Sequence, residues 1–265
     1  MNYFIEGIQG SGKTTMLEKI FKENPKLQAF REGDFSPIEL AWCAYLSPSQ
    51  YERILNKYVD LADDIKKNTV QEGDMYIVTY TRIITDIPGF HKELEQYEIY
   101  NGLKSKNDFE DIILKRLLSW SGDDQLFECS IFQNIIENQI LYLQMSDDEI
   151  IDFYKRVKEA LESKKYEIVY LSVDNVRAAE EIIRKERSDE AGNEMWFPIM
   201  IKYLEEAPYS KKHGYIGMEG LVKRLEHRVD LEKRILREIF DTHYEIIERK
   251  IDINNNKYKE KEHEI

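Results

Sequence analysis

A glycine-rich segment near the start of the chain carries the residues whose types and spacing are best suited to chemistry. Residues 7–14 have the pattern G-x-x-x-x-G-K-T, whose glycines let backbone N–H groups curve around a phosphate chain without Cβ clashes. The side chain of Lys13 can reach β- and γ-phosphates, and the Thr14 hydroxyl can ligate Mg²⁺. The residues expected to bind these phosphates are Gln9, Gly10, Ser11, Gly12, Lys13, Thr14 and Thr15.

A strand and a helix must hold this loop in place. The apolar residues 3–5 predict a β-strand that ends where the loop begins. A helix is predicted after the loop, because apolar residues recur on one helix face until Asn24 and Pro25 end the pattern. These apolar residues are Met16, Leu17, Ile20 and Phe21. The amino end of such a helix adds a positive dipole to a phosphate site.

Short apolar strands alternate with amphipathic helices along the rest of the chain. Further strands are predicted at residues 27–30, 125–128, 168–173 and 244–247. Helices are predicted at residues 36–42, 51–67, 108–119, 147–163, 176–187 and 218–240. Residues 69–107 have no clear pattern, and within them residues 75–78 suit either a strand or a buried helix. The alternation predicts an α/β fold with a five-stranded parallel sheet.

Composition narrows the classes of protein and partner. A net charge of −13 argues against nonspecific nucleic-acid binding, which rewards basic faces, and favours a small-molecule partner. No apolar run is long enough to span a bilayer, and the first residues do not resemble a signal peptide. The two cysteines, Cys43 and Cys129, give neither a disulfide framework nor metal-ligand spacing. We therefore expect a cytoplasmic protein without a membrane partner.

Residues 4–15 resemble the opening of nucleoside and nucleotide kinases within the P-loop proteins. Thymidylate kinases and deoxynucleoside kinases both begin with an apolar strand, Glu-Gly, and a loop ending in Gly-Lys-Ser/Thr; here Glu6 and Gly7 supply the Glu-Gly. The resemblance implies a three-layer P-loop fold with a helical insertion at about residues 36–120. It also implies ATP- and Mg²⁺-dependent transfer of the γ-phosphate to a nucleoside or nucleotide.

Two acids at strand ends are similar to functional acids of these kinases. Residues 31–33, Arg-Glu-Gly, resemble the segment after the second strand, which implies that Glu32 takes the acceptor's proton. Alternatively, Glu32 or Asp34 merely caps the next predicted helix. Glu128 resembles the acid of a Glu-Arg-Ser motif and would orient Mg²⁺ together with Thr14. The sequence departs from that motif at Cys129, which replaces the expected arginine and is predicted to be a small buried residue.

An arginine-rich segment resembles the lid of the same kinases. Arg184 and Arg187 end the helix predicted at residues 176–187, and Arg177 is a further candidate. By resemblance, these arginines would stabilise the charge that accumulates during phosphoryl transfer. The lid would extend over about residues 184–195, with residues 188–193 as its mobile part.

Several alternatives remain open in the sequence. The acceptor could be a sugar, vitamin or antibiotic hydroxyl, and the chain could instead be a nucleotide-binding regulatory protein or slow NTPase. Arg82 is a candidate contact for the acceptor. Residues 1–253 are expected to form one domain, followed by a loose polar tail over residues 254–265. The helix predicted at residues 218–240 could pack internally or against a second copy, so a homodimer is one expectation.

Overall fold

The computed structural model describes residues 1–252 and 257–259, and its main element is a parallel β-sheet. The strands are β1 (Asn2–Gly7), β2 (Gln28–Phe30), β3 (Ala44–Leu46), β4 (Thr69–Glu72), β5 (Met75–Val78), β6 (Gln125–Glu128), β7 (Tyr166–Val173), β8 (Tyr244–Asp252) and β9 (Lys257–Lys259). Five parallel strands lie in the order β2-β6-β1-β7-β8, and β9 pairs antiparallel with β8. The predicted α/β fold with a five-stranded parallel sheet is confirmed.

Helices connect these strands and flank the sheet. They are α1 (Lys13–Glu23), α2 (Pro48–Lys57), α3 (Ala62–Lys67), α4 (Phe90–Glu95), α5 (Lys106–Ser119), α6 (Gln133–Leu141), α7 (Asp147–Leu161), α8 (Val176–Glu186), α9 (Trp196–Glu206), α10 (Pro208–His213) and α11 (Gly217–Ile235). In the described residues, no helix has both the length and the apolar character needed to cross a bilayer.

The chain divides into two compact units. The first consists of Met1–Ala29 and Ser121–Ile265 and contains most of the parallel sheet. The second, Phe30–Trp120, contains the antiparallel sheet β3-β5-β4 together with helices α2 to α5. The segment expected as a helical insertion therefore lies in the second unit, but it also contains a sheet. That sheet joins β3 to β5, which are far apart in sequence, so local periodicity does not reveal it.

Alternating side chains on the central strands form two different cores in the first unit. On one face of the sheet, Ile5 of β1 packs with Leu17 of α1 in an aliphatic cluster. On the other face, the ring of Phe4 stacks on Phe127 with centroids 5.2 Å apart and lies edge-on to Tyr166 at 5.9 Å. Because strand side chains alternate between faces, this short apolar strand can serve both cores and place the loop after it.

Most predicted elements of the first unit are confirmed. Helix α1 buries the predicted apolar face, and Ser146 and Glu149 form the capping box that begins α7. The helix predicted over residues 218–240 is regular only to Ile235 and continues as a π-helical turn, Leu236–Phe240. In the tail, Lys257–Lys259 forms β9, whereas residues 254–256 and 260–265 lie outside the described residues.

The helix predicted at residues 36–42 is wrong, because these residues form turns and bends. A buried guanidinium from α5 fixes this segment: Arg116 donates from Nε to the Ile38 carbonyl at 3.1 Å and from Nη2 to the Ser36 carbonyl at 2.5 Å. Glu39 accepts a hydrogen bond from the Ala41 N–H at 2.6 Å. Side chains thus take up backbone groups that a helix would pair internally.

The helix predicted over residues 51–67 is interrupted at Tyr58. Helix α2 ends at Lys57, and Tyr58 has non-helical backbone angles of φ −111° and ψ 56°. The buried Tyr58 ring lies edge-on to Phe90 at 5.1 Å, and its hydroxyl donates to Glu93 at 2.6 Å. A turn of 3₁₀ helix, Val59–Leu61, and then α3 follow. Contacts with α4 accompany the break, and the spacing of apolar residues alone cannot show them.

Candidate functional site

The glycine-rich loop connects the carboxyl end of β1 to the amino end of α1. Gly12 is the N-cap of α1 with a φ of 88°, which glycine adopts without steric cost. Gly10 lies against α8, since a Cβ at this position would be 3.3 Å from the Ala179 carbonyl oxygen. The buried ammonium of Lys13 donates to the carbonyl oxygens of Gly7 at 3.0 Å and Ile8 at 2.7 Å. Lys13 is thus held over the backbone of its own loop.

Thr14 and Glu128, the two predicted metal ligands, meet in the first unit. The Thr14 hydroxyl donates to Glu128 Oε1 at 2.6 Å. Thr14 is exposed at the start of α1, whereas Glu128 is buried at the carboxyl end of β6. The hydroxyl and the carboxylate supply oxygen ligands of the kind Mg²⁺ prefers. In the described residues, no group of three or more His, Cys, Asp or Glu side chains could hold a metal ion.

Glu6 fixes the loop that follows Glu128. It is fully buried, and its Oε1 accepts hydrogen bonds from the backbone N–H groups of Ser130 at 2.8 Å and Ile131 at 2.9 Å. Burial is the main reason that the pKa of Glu6 rises to about 7. Cys129 is buried as predicted and has a φ of 58°. Glu6 therefore supports the position of Glu128 from the neighbouring strand.

A buried carboxyl group that the sequence prediction missed lies near the loop lysine. Glu180 of α8 is fully buried, which raises its pKa to about 8 against the lowering effect of nearby positive charges. Those charges include Arg228, Lys13 and Arg187. The signal in the sequence was weak, because Glu180 and Glu181 are adjacent on a helix and only the structure shows which one faces inward.

Helix α11 contributes a second buried charge network. Arg224 and Arg228 both donate to Glu137 Oε2 of α6, at 2.6 Å and 2.9 Å. Arg228 also lies 3.0 Å from Glu232, which accepts from the Tyr170 hydroxyl at 2.7 Å. The i, i+4, i+8 spacing of Arg224, Arg228 and Glu232 could have shown that they share a helix face. It could not have shown that this face is buried.

The predicted lid arginines are held within their own segment. Arg184 Nε lies 2.6 Å from Glu194, and its guanidinium is 4.7 Å from the Phe197 ring centroid. Arg187 is 4.6 Å from the Trp196 ring centroid. Arg177 pairs instead with Glu219 at 2.6 Å. Arg184 and Arg187 thus both contact the region where α9 begins.

The predicted acceptor-side residues belong to the second unit. Glu32 lies in an exposed turn after β2, and its alternative role as a cap of the next predicted helix is excluded because residues 36–42 do not form that helix. Asp34 forms an ion pair with Arg82, so two residues singled out separately in the sequence are in contact. Nearby, Trp42 is 49% exposed with a φ of 62°, and its ring lies 4.0 Å from the position of a Cβ on Gly33.

The site also includes an arginine absent from the predicted set. Arg249, near the end of β8, places its guanidinium against Gly12 at the start of α1. The apolar pattern of residues 244–247 predicts a strand, but nothing in the sequence links that strand to the loop.

Comparison of the chain with protein-family models and with curated proteins gave no match to either. The site must therefore be interpreted from its own geometry.

Proposed function

We propose that this protein is an ATP- and Mg²⁺-dependent phosphotransferase, a divergent relative of the P-loop nucleoside and nucleotide kinases. It would move the γ-phosphate of the nucleotide to a small acceptor, most simply a nucleoside or nucleotide. The observation that carries this proposal is the meeting of Thr14 and Glu128 at the start of α1, directly after a glycine-rich loop that contains Lys13. A loop between a parallel strand and a helix is a general setting for phosphate binding.

The residues on the donor side fit this chemistry. Backbone N–H groups of the loop and the ammonium of Lys13 would bind the phosphates, and Thr14 and Glu128 would hold Mg²⁺. The ion would neutralise negative charge on the phosphates during transfer. Lys13 now donates to loop carbonyls, so its ammonium would exchange those bonds for phosphate oxygens when nucleotide binds.

The roles proposed for the acceptor side come from the resemblance to these kinases. The exposed carboxylate of Glu32 would accept the proton of the attacking hydroxyl. Trp42 offers an exposed aromatic face in a strained backbone conformation, and such strain is concentrated at functional sites. The ion pair between Asp34 and Arg82 would supply polar contacts. Arg184 and Arg187 would add positive charge after leaving their present partners.

One observation favours a second candidate, a nucleotide-binding regulatory protein or slow NTPase. Arg184 contacts Glu194 and the Phe197 ring, and Arg187 contacts the Trp196 ring. If they stay there, phosphoryl transfer would lack their charge, and the nucleotide would be hydrolysed slowly or simply retained. The two candidates differ in whether a small acceptor accelerates turnover.

Formation of ADP with and without a panel of nucleosides and nucleotides tests the proposal. A kinase should turn over ATP only slowly until a suitable acceptor is added, and Glu32→Gln should then lower kcat by roughly 10²–10⁴-fold. The matched control is Glu52→Gln, an exposed carboxyl of the same unit, which should leave the rate unchanged. Acceptor-independent turnover that Glu32→Gln does not alter would exclude the kinase and favour the NTPase.

A further inference from the structure

The guanidinium of Arg249, from strand β8, lies against Gly12, the N-cap of α1. A Cβ built on Gly12 would be 2.9 Å from Arg249 Nη2 and 3.3 Å from Arg249 Cζ. A side chain at residue 12 would therefore require this guanidinium to move. Gly12 allows both the backbone turn of the loop and the close approach of Arg249.

The register of the sheet explains how Arg249 reaches the loop. Gly7, the last residue of β1, pairs with Leu171 of β7, and Arg249 of β8 pairs with Val173. Arg249 is therefore two residues further toward the carboxyl edge, where the loop begins. Ile247 packs with Leu17 of α1 in one cluster. Because side chains alternate along a strand, Arg249 and Ile247 project from the same face, the face that carries α1.

The charges at this point favour an anion. The amino end of α1 carries the positive end of the helix dipole and the ammonium of Lys13, with no acidic residue in its first turn. Arg249 adds a second positive side chain. Glu128 accepts from Thr14, and the buried carboxyl groups of Glu6, Glu180 and Glu232 also interact with Lys13. Two positive side chains at the amino end of a helix favour the binding of a polyanion.

We propose that Arg249 binds the phosphate chain of a nucleoside di- or triphosphate held by the loop. This inference rests on the proposed nucleotide site and adds a residue from a different strand to it. The planar guanidinium can donate two parallel hydrogen bonds to phosphate oxygens, in a geometry that the point charge of a lysine does not reproduce. Its ligand is the phosphate chain itself, not the base or the sugar.

A purely structural role for Arg249 makes a different prediction, because such a role would act in the ligand-free protein. If the guanidinium only packs on the loop, Arg249→Gln should lower the melting temperature without ligand. If it binds phosphate, the same change should instead reduce the stabilisation that ATP with Mg²⁺ adds, whatever its effect on the ligand-free protein. The increase in melting temperature on adding ATP with Mg²⁺ should then be smaller than in the wild type.

Calorimetric titration of the full chain with ATP–Mg²⁺ and with inorganic tripolyphosphate provides the decisive measurement. Arg249→Gln should weaken binding of both ligands by roughly ten- to a hundredfold, as expected for the loss of a hydrogen-bonded charge contact. Arg249→Lys should recover part of the affinity. The matched control is Arg237→Gln, an exposed arginine of the same unit, which should bind like the wild type.

The outcomes separate this inference from the proposed function. If the wild type binds ATP and Arg249→Gln binds it equally well, the role of Arg249 is overturned and the nucleotide site stands. If the wild type binds neither ATP nor tripolyphosphate, the nucleotide site itself is overturned, and the role of Arg249 with it. Weakened binding of ATP with unchanged binding of tripolyphosphate would also contradict the inference, because the contact would then not be to phosphate.

Discussion

Thr14 and Glu128 come from distant parts of the sequence and meet through one hydrogen bond of 2.6 Å. Thr14 is an exposed residue in the first turn of α1, while Glu128 is buried at the end of β6. Glu6 accepts a hydrogen bond from the Ser130 N–H, two residues after Glu128. A hydroxyl and a carboxylate held this close can serve one cation without a large rearrangement. The proposed metal site therefore depends on the carboxylate charge of Glu128 more than on its shape.

The change Glu128→Gln tests that dependence at the scale of one residue. Gln keeps the size and can still accept from Thr14, but it removes the negative charge that would attract Mg²⁺. We expect the Mg²⁺ concentration for half-maximal turnover to rise by roughly tenfold or more, as for loss of a supporting metal contact. Titration of turnover with Mg²⁺ at fixed ATP measures this.

Thr14→Ser is the control for the same site, because it keeps the hydroxyl and should leave the Mg²⁺ requirement close to that of the wild type. A loss of turnover in Glu128→Gln that no concentration of Mg²⁺ restores, with the half-maximal concentration unchanged, would contradict the proposed role of this carboxylate.

At the scale of elements, the segment before β3 shows how one side chain can bind backbone carbonyl groups that would otherwise be paired within a helix. The guanidinium of Arg116 bonds to the carbonyl groups of Ser36 and Ile38 and also pairs with Glu72. These contacts connect α5, the segment at residues 36–41 and β4 within the second unit. Since Arg116 is buried, its removal would leave polar groups without partners in a dry interior.

The substitution Arg116→Met should therefore destabilise the protein. We expect the free energy of unfolding to fall by about 3 kcal/mol, the lower end for a broken buried pair because Glu72 is partly exposed. Urea denaturation measures the change. Lys115→Met, at the exposed neighbouring position, is the matched control and should shift stability by less than about 0.5 kcal/mol. Equal effects of the two substitutions would show that the contacts of Arg116 contribute nothing.

Elements with local signals could be predicted from the sequence, and elements set by distant contacts could not. The loop and α1 follow from residues close together, as does the capping box at Ser146. The helix expected at residues 36–42 fails because Arg116, far along the chain, binds its carbonyls. Arg249 was missed for the same reason, since only the register of β7 and β8 brings it to the loop. The sequence thus predicts the glycine-rich loop but not the residues from distant strands that contact it.

At the scale of the whole molecule, buried carboxyl groups occur in both units. Burial is the main reason that the pKa rises to about 7 for Glu6 and Glu98 and to about 8 for Glu39 and Glu180. Each group binds its proton more tightly in the folded protein than in the unfolded chain. The folded state therefore holds more protons between about pH 4.5 and 8, so the free energy of unfolding falls as pH rises through this range. Stability should thus be greater at pH 5 than at pH 8.

The adjacent residues Glu180 and Glu181 allow this dependence to be assigned to one buried group. Glu180→Gln removes a carboxyl whose pKa is raised to about 8, so the variant loses its part of the decline in stability with pH. The stability of Glu180→Gln relative to the wild type should then increase from pH 5 to pH 8, with a slope of at most about 1.4 kcal/mol per pH unit. Glu181→Gln, at an exposed position, should parallel the wild type. Urea denaturation across this range decides the question, because a Glu180→Gln curve parallel to the wild type would mean that Glu180 is already ionised in the folded protein.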